Sequence, residues 1–221
     1  MDIAANIKEV QERIERACQR SQRLPGEITL VAVTKEVEAQ AVRRAFDCGI
    51  RNFGENRVQE AEGKIIQLSI LRPAVQWHMV GHLQSNKAKI AVELFDIIHS
   101  VDSIKLAGIL NRRVEEPFPI LLEVNISGET TKAGFSIGET TAAVKAIKQL
   151  PNLKVLGLMT VAPFVPDPEE VRPVFRKLRE LRDSLGLKHL SMGMTDDFEV
   201  AVEEGATMLR IGRAIFGERR Q

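Results

Sequence analysis

The chain has 221 residues, long enough to bury a full core as one domain, and its 31 basic and 30 acidic residues leave a formal charge of +1. That balance argues against a general nucleic-acid or membrane surface, and nine Phe, one Trp and no Tyr leave little with which to stack bases. Cys18 and Cys48 form no metal pattern, Asp2, Lys8 and Glu9 interrupt any leader-like N-terminus, and no stretch approaches the ~18 apolar residues of a membrane span, so a cytoplasmic globular protein is expected.

Ile3, Ile7, Val10, Ile14 and Ala17 recur at helical spacing behind Asp2, a candidate N-cap, and Pro25-Gly26 closes this first helix. Ile28 to Glu36 then reads as a buried strand, rich in Ile and Val, that runs out into Lys35. A lysine at the rim of a dry core is a candidate amine nucleophile, because burial disfavours its charged form; the plainer alternative is a side chain that snorkels into solvent. Ala41, Val42, Ala45 and Phe46 mark a short helix stopped by Gly49, and Ile50 to Asn56 a second strand ending in a polar loop. Val58, Ala61, Ile65 and Leu68 line the next helix, broken at Leu71-Arg72-Pro73. Val75 to Gly81 is a third strand, and Ser85 caps a helix through Ala88, Ala91 and Phe95.

The alternation continues with a strand at Ile97 to Val101, Asp102 as a cap, and a helix face of Leu106, Ile109 and Leu110. Pro119 to Ile126 is strand five, followed by a helix opened by the capping box Ser136…Glu139. Val155 to Val161 is strand six, and Asp167-Pro168 starts a helix whose first turns Pro173 would kink or delimit, with Leu178, Leu181 and Leu185 buried and Gly186 at its end. His189 to Met194, a helix over Thr195 to Gly205, and a strand over Met208 to Phe216 complete the chain. Eight strands alternating with helices imply parallel pairing through crossovers. The expected fold is α/β: a single (β/α)8 TIM barrel over residues 1–221 with an extra N-terminal helix. An open doubly wound sheet would usually place a Gly-rich turn where Lys35 stands.

In such a barrel, chemistry gathers where strands exit. Lys35, Asn56, His82, Asn125, Met159, the Ser191–Thr195 run and Arg210–Arg213 occupy those exits. Ser191-Met192-Gly193-Met194-Thr195 leads straight into a helix, which would turn N–H groups and a hydroxyl to its positive end, and Ile211-Gly212-Arg213 follows the last strand, so loops seven and eight together suggest a phosphate site. Arg210 lies among apolar neighbours, where its charge requires either a structural carboxylate or an acceptor on a ligand. His78 and His82 lack the intervening Glu of a zincin, and no Gly-x-Ser-x-Gly or Walker loop is present, so no metal site is expected and the familiar hydrolase and NTPase readings have no support.

Several blocks resemble the YggS/PROSC family of pyridoxal phosphate homeostasis proteins: Val31 to Lys35, Phe53 to Glu60, Trp77 to Lys87, Gly157-Leu158-Met159, Leu190 to Phe198, and Arg210 to Gly217. The resemblance implies a barrel like the alanine racemase N-terminal domain, with pyridoxal 5′-phosphate (PLP) held as an internal aldimine on Lys35. It implies phosphate contacts from Ser191, Thr195 and the backbone of Gly212 and Arg213, an Arg210 facing the pyridine nitrogen, Asn56 near the ring, and Met159 among the cofactor contacts. Arg213 stands where many relatives carry Thr or Ser, so a hydroxyl contact is lost there and its guanidinium either replaces it or points outward. After Lys35, Glu36-Val37-Glu38 replaces the frequent Thr-Lys-Pro.

An arginine at the pyridine nitrogen stays charged and leaves the ring a weaker electron sink than the acidic partner used for transamination and decarboxylation. The racemase pattern needs a tyrosine base from a second domain, and the chain contains no tyrosine. The expectation is therefore a non-enzymatic, monomeric PLP carrier that buffers or delivers the cofactor, with PLP-dependent apoenzymes as recipients. The alternatives are a racemase with an unrecognised base such as His82, or a Schiff-base aldolase acting without PLP.

Overall fold

The computed structural model describes residues 2–129 and 132–218. Helix α1 (Ile3–Arg20) begins where Asp2 Oδ1 accepts the Ala5 amide at 3.1 Å, and it buries Ile3, Ile7, Val10, Ile14, Ala17 and Cys18 along one face. The barrel then alternates β1 (Thr29–Val33), α2 (Ala39–Asp47), β2 (Asn52–Glu55), α3 (Val58–Gln67), β3 (Gln76–Met79), α4 (Ala88–Leu94), β4 (Ile97–Val101), α5 (Ile104–Asn111) and β5 (Phe118–Asn125). A two-residue strand, β6 (Phe135–Ser136), precedes α6 (Ile137–Ile147), and β7 (Leu153–Met159), α7 (Arg172–Ser184), β8 (His189–Ser191), α8 (Phe198–Glu203), β9 (Met208–Ile211) and α9 (Arg213–Phe216) follow.

Every pairing is parallel, in the order β4-β3-β2-β1-β9-β8-β7-β5, and β4–β5 pairing closes the ring. The expected eight-stranded (β/α)8 barrel is thus present, with β6 as an added edge on β5. Strand alternation divides the core in two. One large cluster lies between strands and helices, whereas Ile97, Leu121, Met159 and Met208 pack together inside the ring. No helix among the described residues is long and apolar enough to cross a membrane.

Several boundaries differ from the sequence reading for local reasons. Asp102 does not cap α5, because its carboxylate is turned to His82 at 3.1 Å, and Ser103 caps instead through the Leu106 amide. Ser85 starts a 3-10 turn (Ser85–Lys87) ahead of α4. The capping box at Ser136 and Glu139 is formed as read. Asp167 caps a 3-10 turn (Pro168–Val171), and Pro173 sits harmlessly in the first turn of α7. The segment after β8 is not helical until Phe198, since the Asp197 carboxylate accepts the Met194 amide at 2.6 Å and makes a turn there. The last strand stops at Ile211, and Gly212 passes the chain into α9.

Helix α1 packs across α8 and α9. Arg13 and Arg20 pair with Glu199 at 2.8 and 2.9 Å, Arg20 reaches Glu203 at 2.6 Å, and Asn6 Nδ2 donates to the Ile215 carbonyl at 2.9 Å. The extra helix therefore braces the two elements that follow loops seven and eight.

Candidate functional site

A cavity of about 380 Å³ opens at the C-terminal end of the barrel, lined by residues that include Val33, Lys35, Asn56, Gly81, His82, Glu123, Thr195, Arg210, Gly212 and Arg213. Lys35 leaves β1 half-buried, and among the described residues its amine has no hydrogen-bond or ion-pair partner. Its backbone is held firmly. Thr34 Oγ1 donates to Glu55 Oε1 at 2.5 Å, and Lys64 Nζ donates both to that oxygen and to the Thr34 carbonyl at 2.5 Å. Glu55 is fully buried; burial pushes its carboxyl up, and the Lys64 ammonium opposes that shift. The chain turns at once after Lys35, at Glu36 with φ +59°, so Glu36 and Glu38 line a neighbouring depression rather than this cavity. Two strands along the ring, a Cβ on Gly81 would stand 2.4 Å from the Asn56 carbonyl oxygen, so glycine lets the β3 exit pass the Asn56 loop.

Arg210 forms part of the floor, 5% exposed. No carboxylate lies within ion-pair distance of it among the described residues; Nη1 donates to Ser191 Oγ at 2.6 Å and Nη2 to the Thr160 carbonyl at 2.8 Å. Burial lowers its pKa to about 10, against the attraction of Asp197 and Glu123, so it remains a cation at neutral pH. Of the two explanations open for a buried arginine here, the structural carboxylate is absent.

Loops seven and eight meet at the other rim. Thr195 Oγ1 accepts the Ala214 amide at 3.3 Å, while the amides of Gly212 and Arg213 donate to no protein acceptor among the described residues. The Arg213 guanidinium grips both carboxylate oxygens of Asp196 at the cavity mouth. Its side chain is therefore committed to a protein partner, and its backbone N–H is what it offers the cavity.

Lys35, Asn56, Thr195, Arg210, Gly212 and Arg213 are thus brought together, whereas three strand-end residues are not part of the lining. Ser191 is fully buried one layer down, with its hydroxyl between Arg210 and His99. Met159 belongs to the apolar plug inside the ring. Asn125 ties its own loop together through the Glu129 carbonyl at 2.8 Å.

The profile of the alanine racemase N-terminal domain matches residues 3–220. A pyridoxal phosphate homeostasis protein of Aquifex aeolicus is 43% identical over all of both chains, and one from Pseudomonas aeruginosa is 44% identical over 98% of this chain and 96% of its own length. The chain belongs to the pyridoxal phosphate homeostasis protein family. PipY of Synechococcus elongatus, solved with PLP bound, superposes with a TM-score of 0.86 at 38% identity, covering 98% of this chain and all of its own.

Within this family member the sequence reading missed two lining carboxylates. Glu123 lies inside the apolar run of β5, where only its inward parity places it in the cavity; burial pushes its carboxyl up, and Asp102 adds to the shift. Asp196 was read as the second residue of a helix over Thr195 to Gly205 and was given no part in the site.

Beneath the cavity, His78 and His99 are buried and mutually bonded at 2.9 Å. Burial lowers His78 to about 3 and His99 well below its ordinary 6.5. Both are neutral in the fold and bind protons when unfolded, so their contribution to stability is full above pH 6.5 and is lost as pH falls below it. Replacing His78→Asn is expected to remove one such proton, making urea-measured stability less pH-dependent than wild type by about 1.4 kcal/mol per pH unit between pH 6 and 5. Parallel pH profiles for the two proteins would mean that His78 titrates in the fold.

Proposed function

We propose that this chain binds pyridoxal 5′-phosphate in the cavity above Arg210 and serves PLP homeostasis, holding the cofactor reversibly for PLP-dependent apoenzymes rather than using it in a reaction of its own. One pairing carries the reading: an unpartnered lysine amine faces a cavity whose floor is a buried, carboxylate-free arginine. A phosphorylated aromatic aldehyde matches these groups. Lys35 Nζ would attack the aldehyde carbon, forming a C=N bond and releasing one water, while the free amides of Gly212 and Arg213 and the Thr195 hydroxyl would meet the phosphate. Arg210 would donate to the pyridine nitrogen and, as a permanent cation there, keep that nitrogen unprotonated. Asn56 would line the ring's edge. The family name carried by the relatives, and PLP in the PipY structure, support the same reading.

A carrier role is favoured by what surrounds the lysine. An arginine at the ring nitrogen weakens electron withdrawal, and the cavity is open to solvent exchange. Both cysteines are free thiols, in keeping with a reducing cytoplasmic compartment. The test is direct: protein incubated with PLP is expected to gain a visible absorption band, and borohydride is expected to abolish it and leave a pyridoxyl group on the peptide containing Lys35. A featureless spectrum at saturating PLP would overturn the proposal.

One observation favours a second reading. His82 lines the cavity with its imidazole oriented by Asp102, the arrangement of a general base. A racemase-like activity would exchange the α-proton of an amino acid with solvent D₂O in the PLP-loaded protein. An aldolase would instead let borohydride trap a sugar phosphate on Lys35 with no PLP present.

A further inference from the structure

Below the cavity runs a row of hydrogen bonds that the reading above leaves unused. Arg210 Nη1 donates to Ser191 Oγ (2.6 Å); Ser191 Oγ is 2.8 Å from His99 Nδ1; His99 Nε2 is 2.9 Å from His78 Nδ1; His78 Nε2 is 3.1 Å from Asn52 Oδ1. The five side chains come from β9, β8, β4, β3 and β2, so the row crosses the inside of the barrel. Asn52 stands at the start of β2, at the end of the barrel away from the cavity.

The direction of the row follows from proton counting. A guanidinium only donates, so the Ser191 oxygen accepts from Arg210. The single Ser191 proton then goes to His99 Nδ1, which must be bare. A neutral His99 carries its proton on Nε2 and gives it to His78 Nδ1; His78 in turn donates from Nε2 to Asn52 Oδ1. Every proton is used once. The reverse direction would protonate His99 Nδ1 and leave the Ser191 hydroxyl with no acceptor among the described residues. Burial, which disfavours the charged form of both rings, agrees with a neutral row.

Such a row does something a carboxylate could not. An aspartate bonded to Arg210 would fix the guanidinium but pair off its charge, whereas an uncharged chain of acceptors fixes it with no ion-pair partner. We propose that His99, backed by His78 and Asn52, is a positioning residue that acts through Ser191 to hold Arg210, with no carboxylate in contact, toward a bound cofactor's ring nitrogen. The proposal rests on the PLP reading of the cavity and extends it to residues that touch no ligand.

Two measurements on the full chain test it. In the ligand-free protein with ¹⁵N-labelled histidine, His78 and His99 are expected as neutral Nε2–H tautomers, unchanged from pH 8 to 5.5; a proton on His99 Nδ1 overturns the proposal. In PLP titrations followed by the visible band, His99→Phe is expected to weaken binding at least about tenfold and to move the pH midpoint of the band, since Ser191 loses its acceptor and Arg210 its fixed partner. His99→Asn, whose Oδ1 stands where Nδ1 stood, is expected to keep both near wild type. A purely packing role predicts the opposite order, because phenylalanine fills the space better; that order, or two unchanged variants, overturns the proposal. A wild type that binds no PLP rejects the cofactor reading itself, and the tautomers still decide the direction of the row.

Discussion

Lys35→Ala is expected to eliminate the visible band and the borohydride-stable adduct completely, while leaving the protein nearly as stable as wild type. The two halves of this outcome have separate causes. The amine has no hydrogen-bond or ion-pair partner among the described residues, so its removal deletes no polar contact and is expected to cost no more than about 0.5–1 kcal/mol. The proposed covalent link, by contrast, has no second lysine among the described residues that line the cavity. Lys64, the lysine whose nitrogen lies against the Thr34 carbonyl, is only 10% exposed and is committed to Glu55. What remains in the variant is noncovalent binding at Thr195, Gly212, Arg213 and Arg210, weaker by at least about a hundredfold if the bond is worth a few kcal/mol. Absorbance, reduction followed by peptide mapping, and a urea melt check all three points. A band that survives in Lys35→Ala would move the attachment to another lysine, and a large loss of stability would assign Lys35 a structural duty.

Gly157→Ala is expected to cost more than about 4 kcal/mol, enough to prevent folding at 37 °C, although it adds a single methyl group. A Cβ at Gly157 would lie 1.9 Å from the His189 carbonyl oxygen and 2.6 Å from its carbon. Those atoms are backbone of β8, the registered partner of Gly157, so no side chain can swing aside. β8 is three residues long and ends at Ser191, which means that any displacement reaches Arg210 as well. Gly63→Ala supplies the contrast. It lies inside α3 with nothing within 4 Å of the added carbon, and the same change there is expected to stabilise by about 0.5–1 kcal/mol. Urea midpoints of the two variants should move in opposite directions. Equal, small shifts would mean that β8 can slide to make room.

Most of the fold was readable because helices and strands each announce themselves by a local period, and eight alternations at this length leave few closed solutions. Lys35 and Arg210 were readable for a related reason: each is a charge set against an apolar strand. The depth of a residue within the ring was not readable. Ser191 and Met159 stand at strand ends in sequence, yet the stagger between neighbouring strands drops them a layer below the cavity, where one binds Arg210 and the other joins the apolar plug. The same stagger lifts Glu123 into the lining from within β5. His78 was weighed only beside His82, and its contact with His99 was not readable because it depends on how β3 and β4 register, a relation that no local pattern encodes. The helix expected from Thr195 failed on a single side chain, since Asp197 caps a turn before α8 can begin.

The position of α1 sets an order of events for the nascent chain. Its apolar face is covered mainly by α8 and α9, with α2 beside them, and β1 finds its second neighbour only in β9. During synthesis the first helix and the strand leading to Lys35 leave the ribosome before α8, β9 and α9, with the intervening strands in between. Until β9 emerges the ring is an open arc with a sticky leading helix, and Lys35 has neither Arg210 nor the Gly212 and Arg213 amides beside it. Under the proposed PLP binding, a half-made chain would lack the site, and sequestration of the cofactor would begin only when β9 has closed the seam.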